Sequence, residues 1–143
     1  MLSCTFFGHR DTDEEVISDL RNIITDLIEN KNVRKFYVGN HGKFDYMVKC
    51  ILSEFEEKYK ISYSVVLAYI PQKADFLNRE TKNTLIPEGL ESVPKKFAID
   101  WVNRWMLKQS EYVVVYVKYI TGGAAKFKEI AEKQNKIVVN LAE

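Results

Sequence analysis

Met1-Leu2-Ser3-Cys4-Thr5-Phe6-Phe7-Gly8-His9-Arg10-Asp11-Thr12-Asp13 is the stretch on which the fold turns. Leu2 to Phe7 is a short apolar run, the pattern of a strand covered on both faces rather than on one. It stops at Gly8, which lets the backbone turn sharply and approach a ligand closely. His9 and Arg10 then project from the carboxyl end of the strand, and Thr12-Asp13-Glu14-Glu15 reads as a capping box opening a helix. A strand, a glycine turn and a helix start make either an anion site or an ordinary turn with a solvated arginine.

The sequence beyond that stretch repeats the same arrangement. Val16, Ile17, Leu20, Ile23, Ile24, Leu27 and Ile28 recur at helical spacing, with polar residues on the other side. Asn30-Lys31-Asn32 ends that helix, and Lys35 to Val38 forms a second short strand. This strand runs into Gly39-Asn40-His41-Gly42-Lys43-Phe44-Asp45, another glycine-rich turn before a helix whose apolar face runs from Phe44 to Tyr59. Asp45 falls in the first turn of that helix, where a carboxylate suits the positive end. Ser62 to Ile70 reads as a third strand ended by Pro71. Gln72 to Ser92 loses all periodicity, leaving room for a short extended piece at Thr84-Leu85-Ile86 or a helical turn near Phe76.

Lys95 to Gln109 is a helix with apolar residues almost all round, including Trp101, Val102, Trp105 and Met106. Such a helix is buried on more than one side, and its aromatic and Met content suggests a homodimer face as well as core. Tyr112 to Val117 is the clearest buried strand. After it come Gly122-Gly123 at the entry of a helix carrying Phe127, Ile130 and Ala131 inward, then a last strand from Lys136 to Leu141. Alternating strands and helices with right-handed crossovers give a three-layer α/β domain, 1–143, around a mostly parallel five-stranded sheet. Ligands of such folds sit at the carboxyl ends of the strands where the strand order reverses. The three glycine turns are therefore expected around one cleft.

Composition narrows the function. Lys plus Arg (21) nearly cancels Asp plus Glu (20), so no global field favours nucleic acid or an anionic membrane. No apolar run approaches the length of a membrane span, and the start of the chain lacks a signal peptide's basic flank, so a cytoplasmic protein is expected. Cys4 and Cys50 form neither a disulfide framework nor a zinc spacing, and both read as packing residues. His9 and His41 both lie at strand ends without a third ligand at metal spacing, which points to neutral hydrogen-bonding roles. The serine-hydrolase elbow, the P-loop and the dinucleotide-binding glycine pattern are all missing.

The chain resembles the stand-alone SLOG family of bacteria and their phages along most of its length. Phe6-Phe7-Gly8-His9-Arg10 is similar to the family's F-x-G-H-R start and Gly39 to Asp45 to its G-x-x-G-x-F-D turn. Ile86-Pro87-Glu88-Gly89-Leu90-Glu91 resembles P-E-G-x-E, Asn103-Arg104-Trp105-Met106 resembles R-N-x-W-M, and Gly122-Gly123-Ala124 resembles the G-G-A turn before the last helix. That family is Rossmann-like and related to the Lonely Guy phosphoribohydrolases and to the DNA-processing protein DprA. The resemblance implies a pocket for a nucleotide or nucleotide-derived signal, with no certain cofactor and no metal. The residues it nominates are Gly8, His9, Arg10, Gly39, Asn40, His41, Gly42, Asp45, Glu88, Asn103, Arg104, Gly122, Gly123 and Lys126. Two departures stand out: Val102 replaces the arginine before Asn103, and the last glycine turn lacks the phosphoribohydrolase pattern apart from Glu129. Sensing is the favoured expectation. Hydrolysis of a nucleotide N-glycosidic bond, with Glu88, Glu129 or Asp45 as the carboxylate, is the enzymatic alternative. A scaffold without ligand is the third.

Overall fold

The computed structural model describes residues 2–70 and 83–143. Strand β1 (Leu2–Gly8) leads through a loop into α1 (Val16–Lys31), then β2 (Val33–Val38), α2 (Gly42–Lys58) and β3 (Ser62–Val66). The two-residue β4 (Thr84–Leu85) and a single 3₁₀ turn (Leu90–Ser92) precede α3 (Lys95–Gln109), β5 (Tyr112–Tyr116), α4 (Gly123–Lys133) and β6 (Ile137–Asn140). The six strands are all parallel in the order β4-β3-β2-β1-β5-β6. This is a Rossmann-like sheet. Its order reverses between β1 and β5: β2, β3 and β4 extend to one side of β1, and the chain then crosses back to place β5 and β6 on the other.

Alternation along the central strands assigns the layers. Cys4, Phe6, Val114 and Tyr116 join the core under α1 and α2, while Phe7, Val113 and Val115 join the opposite core under α3 and α4. Phe6 stacks on Phe36 in the first core, and Phe7 stacks on Phe127 in the second, with ring centroids 6.1 and 5.3 Å apart. Residues Ser3 to Phe7 are all buried, as the unbroken apolar pattern of the first stretch implies.

Several expectations are corrected. The sheet has six strands, not five, because Val65 N–H donates to Asn83 O (2.7 Å) and Leu67 N–H to Leu85 O (3.0 Å), recruiting Thr84–Leu85 onto the sheet edge. β3 ends at Val66 instead of reaching Ile70. The expected helical turn near Phe76 lies outside the described residues. Thr12 does not cap α1: its hydroxyl donates to His9 O (2.5 Å), and the Glu15 N-cap has no side-chain bond. Cys50 is exposed, not packed. α3 has a solvated side, with Lys95, Lys96, Arg104 and Lys108 exposed. Trp105 meets Tyr37 edge-on at 5.5 Å, and Trp101 and Trp105 are both partly buried against the second core. Among the described residues, no helix is long and apolar enough to cross a membrane.

Candidate functional site

Two glycines allow the site to form. A Cβ on Gly8, at the end of β1, would lie 2.2 Å from the fully buried Phe44 ring, so a bare backbone is needed for the first turn of α2 to reach β1. Gly42 has φ +87°, and a Cβ there would lie 2.7 Å from the Arg10 Cα. The same contact is sealed by Lys43 N–H, which donates to Arg10 O at 2.8 Å. The loop after β1 is thus docked onto the start of α2.

Between these turns and the turn after β5 lies a cavity of about 340 Å³, at the low end of the roughly 300–1,000 Å³ usual for small-molecule sites. The β1 turn contributes Gly8, His9 and Arg10, the β2 turn contributes Gly39, His41 and Asp45, and the start of α4 contributes Gly123 and Ala124. The fourth wall is one face of α3, formed by Ile99, Asn103 and Met106 at helical spacing of four and three. The cavity opens where the strand order reverses.

Asp45 is the buried charge of the site. Its Oδ2 accepts the His41 backbone N–H at 2.9 Å, and it has no other hydrogen bond among the described residues. Burial raises its carboxyl from the ordinary 3.8 to about 6, against the His41 N–H and the positive charges of Lys49 and Arg10, which oppose the rise. A Cβ on Gly39 would sit 3.0 Å from Oδ2, so that glycine gives the carboxylate its room. His41 is held below its usual range by burial first, then by Arg10 and Lys49. Lys49 donates to Asn40 Oδ1 at 2.5 Å. Arg10 is exposed at the cavity and pairs with no carboxylate among the described residues.

The two helix starts differ. At α2 the N–H groups of His41 and Lys43 are already bonded to Asp45 and Arg10 O. At α4 no side chain caps the helix, and nothing lies within 4 Å of where a Cβ on Gly122 or Gly123 would be. The start of α4 thus leaves its first-turn N–H groups without a side-chain partner, at residues Gly123 and Ala124 that line the cavity. His9 ties this turn down, because its Nε2 accepts the Lys118 backbone N–H at 2.9 Å and its ring lies 4.8 Å from that of Tyr119.

Of the residues nominated by sequence, Gly8, His9, Arg10, Gly39, His41, Asp45, Asn103 and Gly123 line one cavity. Asn40, Gly42 and Gly122 belong to the same turns without lining it. Arg104 and Lys126 lie elsewhere: both donate to Asp100, Arg104 Nε at 2.7 Å within α3 and Lys126 Nζ from α4, so the Lys126 contact ties the two helices together. Glu88 is exposed ahead of the 3₁₀ turn, and Glu129 is an exposed residue of α4 paired with Lys133 at 3.0 Å. Ile99 and Met106 were missed as wall residues, although their helical spacing from Asn103 was a readable signal. Among the described residues, no group of three His, Cys, Asp or Glu side chains converges to hold a metal.

A solved structure similar to this chain is that of DNA processing protein A (DprA) from Streptococcus pneumoniae. The two superpose with a TM-score of 0.70 at 15% sequence identity, over 96% of this chain and 49% of that one. The likeness is one of fold. This chain spans about half the length of that structure. No protein-family model and no curated protein matches the sequence.

Proposed function

We propose that this chain is a SLOG-type domain that senses a small phosphate-bearing ligand, a nucleotide or nucleotide derivative, in the cavity between β1, β2 and β5. One observation carries the reading: a single cavity at the strand-order reversal combines the uncapped start of α4, an unpaired Arg10 and a buried Asp45 with one unbonded oxygen. The helix start and the guanidinium suit a phosphate, since backbone N–H groups and a forked cation both favour that anion. The carboxylate repels phosphate and suits sugar hydroxyls, so the ligand's two ends are told apart. Asn103, whose side chain makes no hydrogen bond among the described residues, offers an amide on the α3 wall.

Calorimetric titration of wild type and Arg10→Ala with nucleoside 5′-monophosphates tests this. Losing one charge-assisted contact removes about 1.5–3 kcal/mol, so affinity should fall roughly ten- to hundredfold. The ligand-free melting temperature should hold, because Arg10 is exposed and forms no ion pair among the described residues. Equal affinities would remove Arg10 from the site, and no binding by wild type to any of them would sink the reading.

A second reading, hydrolysis of the N-glycosidic bond, is favoured by one fact. Of the carboxylates nominated for it, Asp45 is the one that lines the cavity, and its proton affinity is near that of a general acid or base working at neutral pH. Free base appearing in the same incubations, and absent with Asp45→Asn, would replace sensing with catalysis.

A further inference from the structure

Beyond the first cavity lies a second of about 660 Å³, between the end of β3, the 3₁₀ turn and the start of α3. Ala68, Ile70, Leu90, Val93 and Ala98 give it mostly apolar walls, to which Tyr69, Glu91 and Lys95 add polar groups. His41 and Ile99 line both cavities, so these two side chains form the partition between them. At that partition the His41 Nε2 is buried and has no hydrogen-bond partner among the described residues. A buried polar nitrogen without a partner is unfavourable in a finished site, and a ligand atom passing it would supply the missing bond.

We infer that the two cavities are one bipartite site: the first holds the phosphorylated sugar and the second holds the ligand's planar heterocyclic base, with His41 bonding the ligand where it crosses. This rests on the reading of the first cavity given above. The chemistry of the two chambers differs in the way such a ligand does. The first offers a guanidinium, helix N–H groups, a carboxylate and an amide, whereas the second offers mainly aliphatic surface, on which a base can bury its faces. Ile99 presents an aliphatic side chain to both, and it follows directly from Ala98, which is buried behind the second chamber. Burial and the charges of Arg10 and Lys49 disfavour a proton on His41, so its free nitrogen pairs with a neutral ring or hydroxyl group rather than with an anion.

The test compares ribose 5-phosphate with the four nucleoside 5′-monophosphates by calorimetric titration. The proteins are wild type and two variants that fill the second chamber alone, Ala68→Leu and Val93→Phe; neither residue lines the first cavity. In wild type, at least one monophosphate should bind about tenfold or more tightly than ribose 5-phosphate, reflecting burial of the base. Each filled variant should lose that advantage while holding ribose 5-phosphate within about twofold of wild type. Ligand-free melts identify a variant that does not fold, and the other then decides. Equal wild-type affinity for ribose 5-phosphate and all four monophosphates overturns the inference, as does a filled variant that keeps the preference. If wild type binds none of these compounds, it is the first-cavity reading that fails.

Discussion

Asp45 shows how far one residue's surroundings change its chemistry. In the sequence it is a carboxylate in the first turn of a helix, a place with an electrostatic explanation of its own. In the fold, Gly39 leaves room for it, Phe44 beside it is fully buried, and solvent is largely excluded. Its carboxyl therefore holds a proton up to about pH 6 in the folded chain, against an ordinary value of 3.8. Between these values the folded state binds more protons than the unfolded one, so this group's contribution to stability is full below about pH 4 and is lost as pH rises through 6. At neutral pH the buried charge costs on the order of 3 kcal/mol. Asp45→Asn keeps an oxygen for the His41 N–H and removes the charge. The variant should melt like wild type near pH 4 and increasingly above it toward pH 7, and a pH-independent difference between the two melting curves would contradict the raised carboxyl.

At the level of elements, the loops that shape the site are held by bonds that no local pattern announces. Thr12-Asp13-Glu14-Glu15 looks like a helix cap, yet Thr12 is buried and its hydroxyl turns back to His9 O. That bond fixes the β1 turn, and His9 in turn grips the β5 turn through Lys118 N–H. An accepting Nε2 places the imidazole proton on Nδ1 in the neutral ring, so His9 here acts as a clip between loops. His9→Ala should release the second loop and leave the sheet intact. The Lys118 amide should exchange with solvent about fivefold faster or more, matching roughly 1 kcal/mol for the lost bond, while amides of β1 and β5 keep their protection. Unchanged Lys118 exchange would show that other contacts hold the loop. The two-residue β4 is the short extended piece that Thr84-Leu85-Ile86 offers in sequence, but its place on the sheet edge is set by the Val65 and Leu67 N–H groups at the end of β3.

For the whole molecule, strand order decides where chemistry can occur. Because β1 has β2 on one side and β5 on the other, the turns after all three open on the same crevice. Binding of a nucleic acid is the competing reading at this scale. Charge argues against it, since 21 basic residues face 20 acidic ones, and Arg104 and Lys126 are occupied by Asp100. Fluorescence anisotropy with a labelled single-stranded oligonucleotide should find binding no tighter than about 10⁻⁴ M near physiological salt, the weak end of non-specific association. Micromolar binding that weakens steeply with salt would reverse that view.

Apolar spacing of 3.6 determined the helices, unbroken apolar runs the central strands, and their alternation with right-handed crossovers the three-layer architecture, since these patterns report which faces leave water. It also located the glycine turns, because a missing side chain after a strand is visible in one dimension. Tertiary structure alone decided which nominated side chains share a cavity. Arg104 and Lys126 carry the right charge but meet Asp100, whereas Ile99 and Met106 carry no chemical signal but form a wall. The reason is physical: spacing along the chain sets which face a residue occupies, while its partners, its burial and its proton affinity depend on elements distant in sequence.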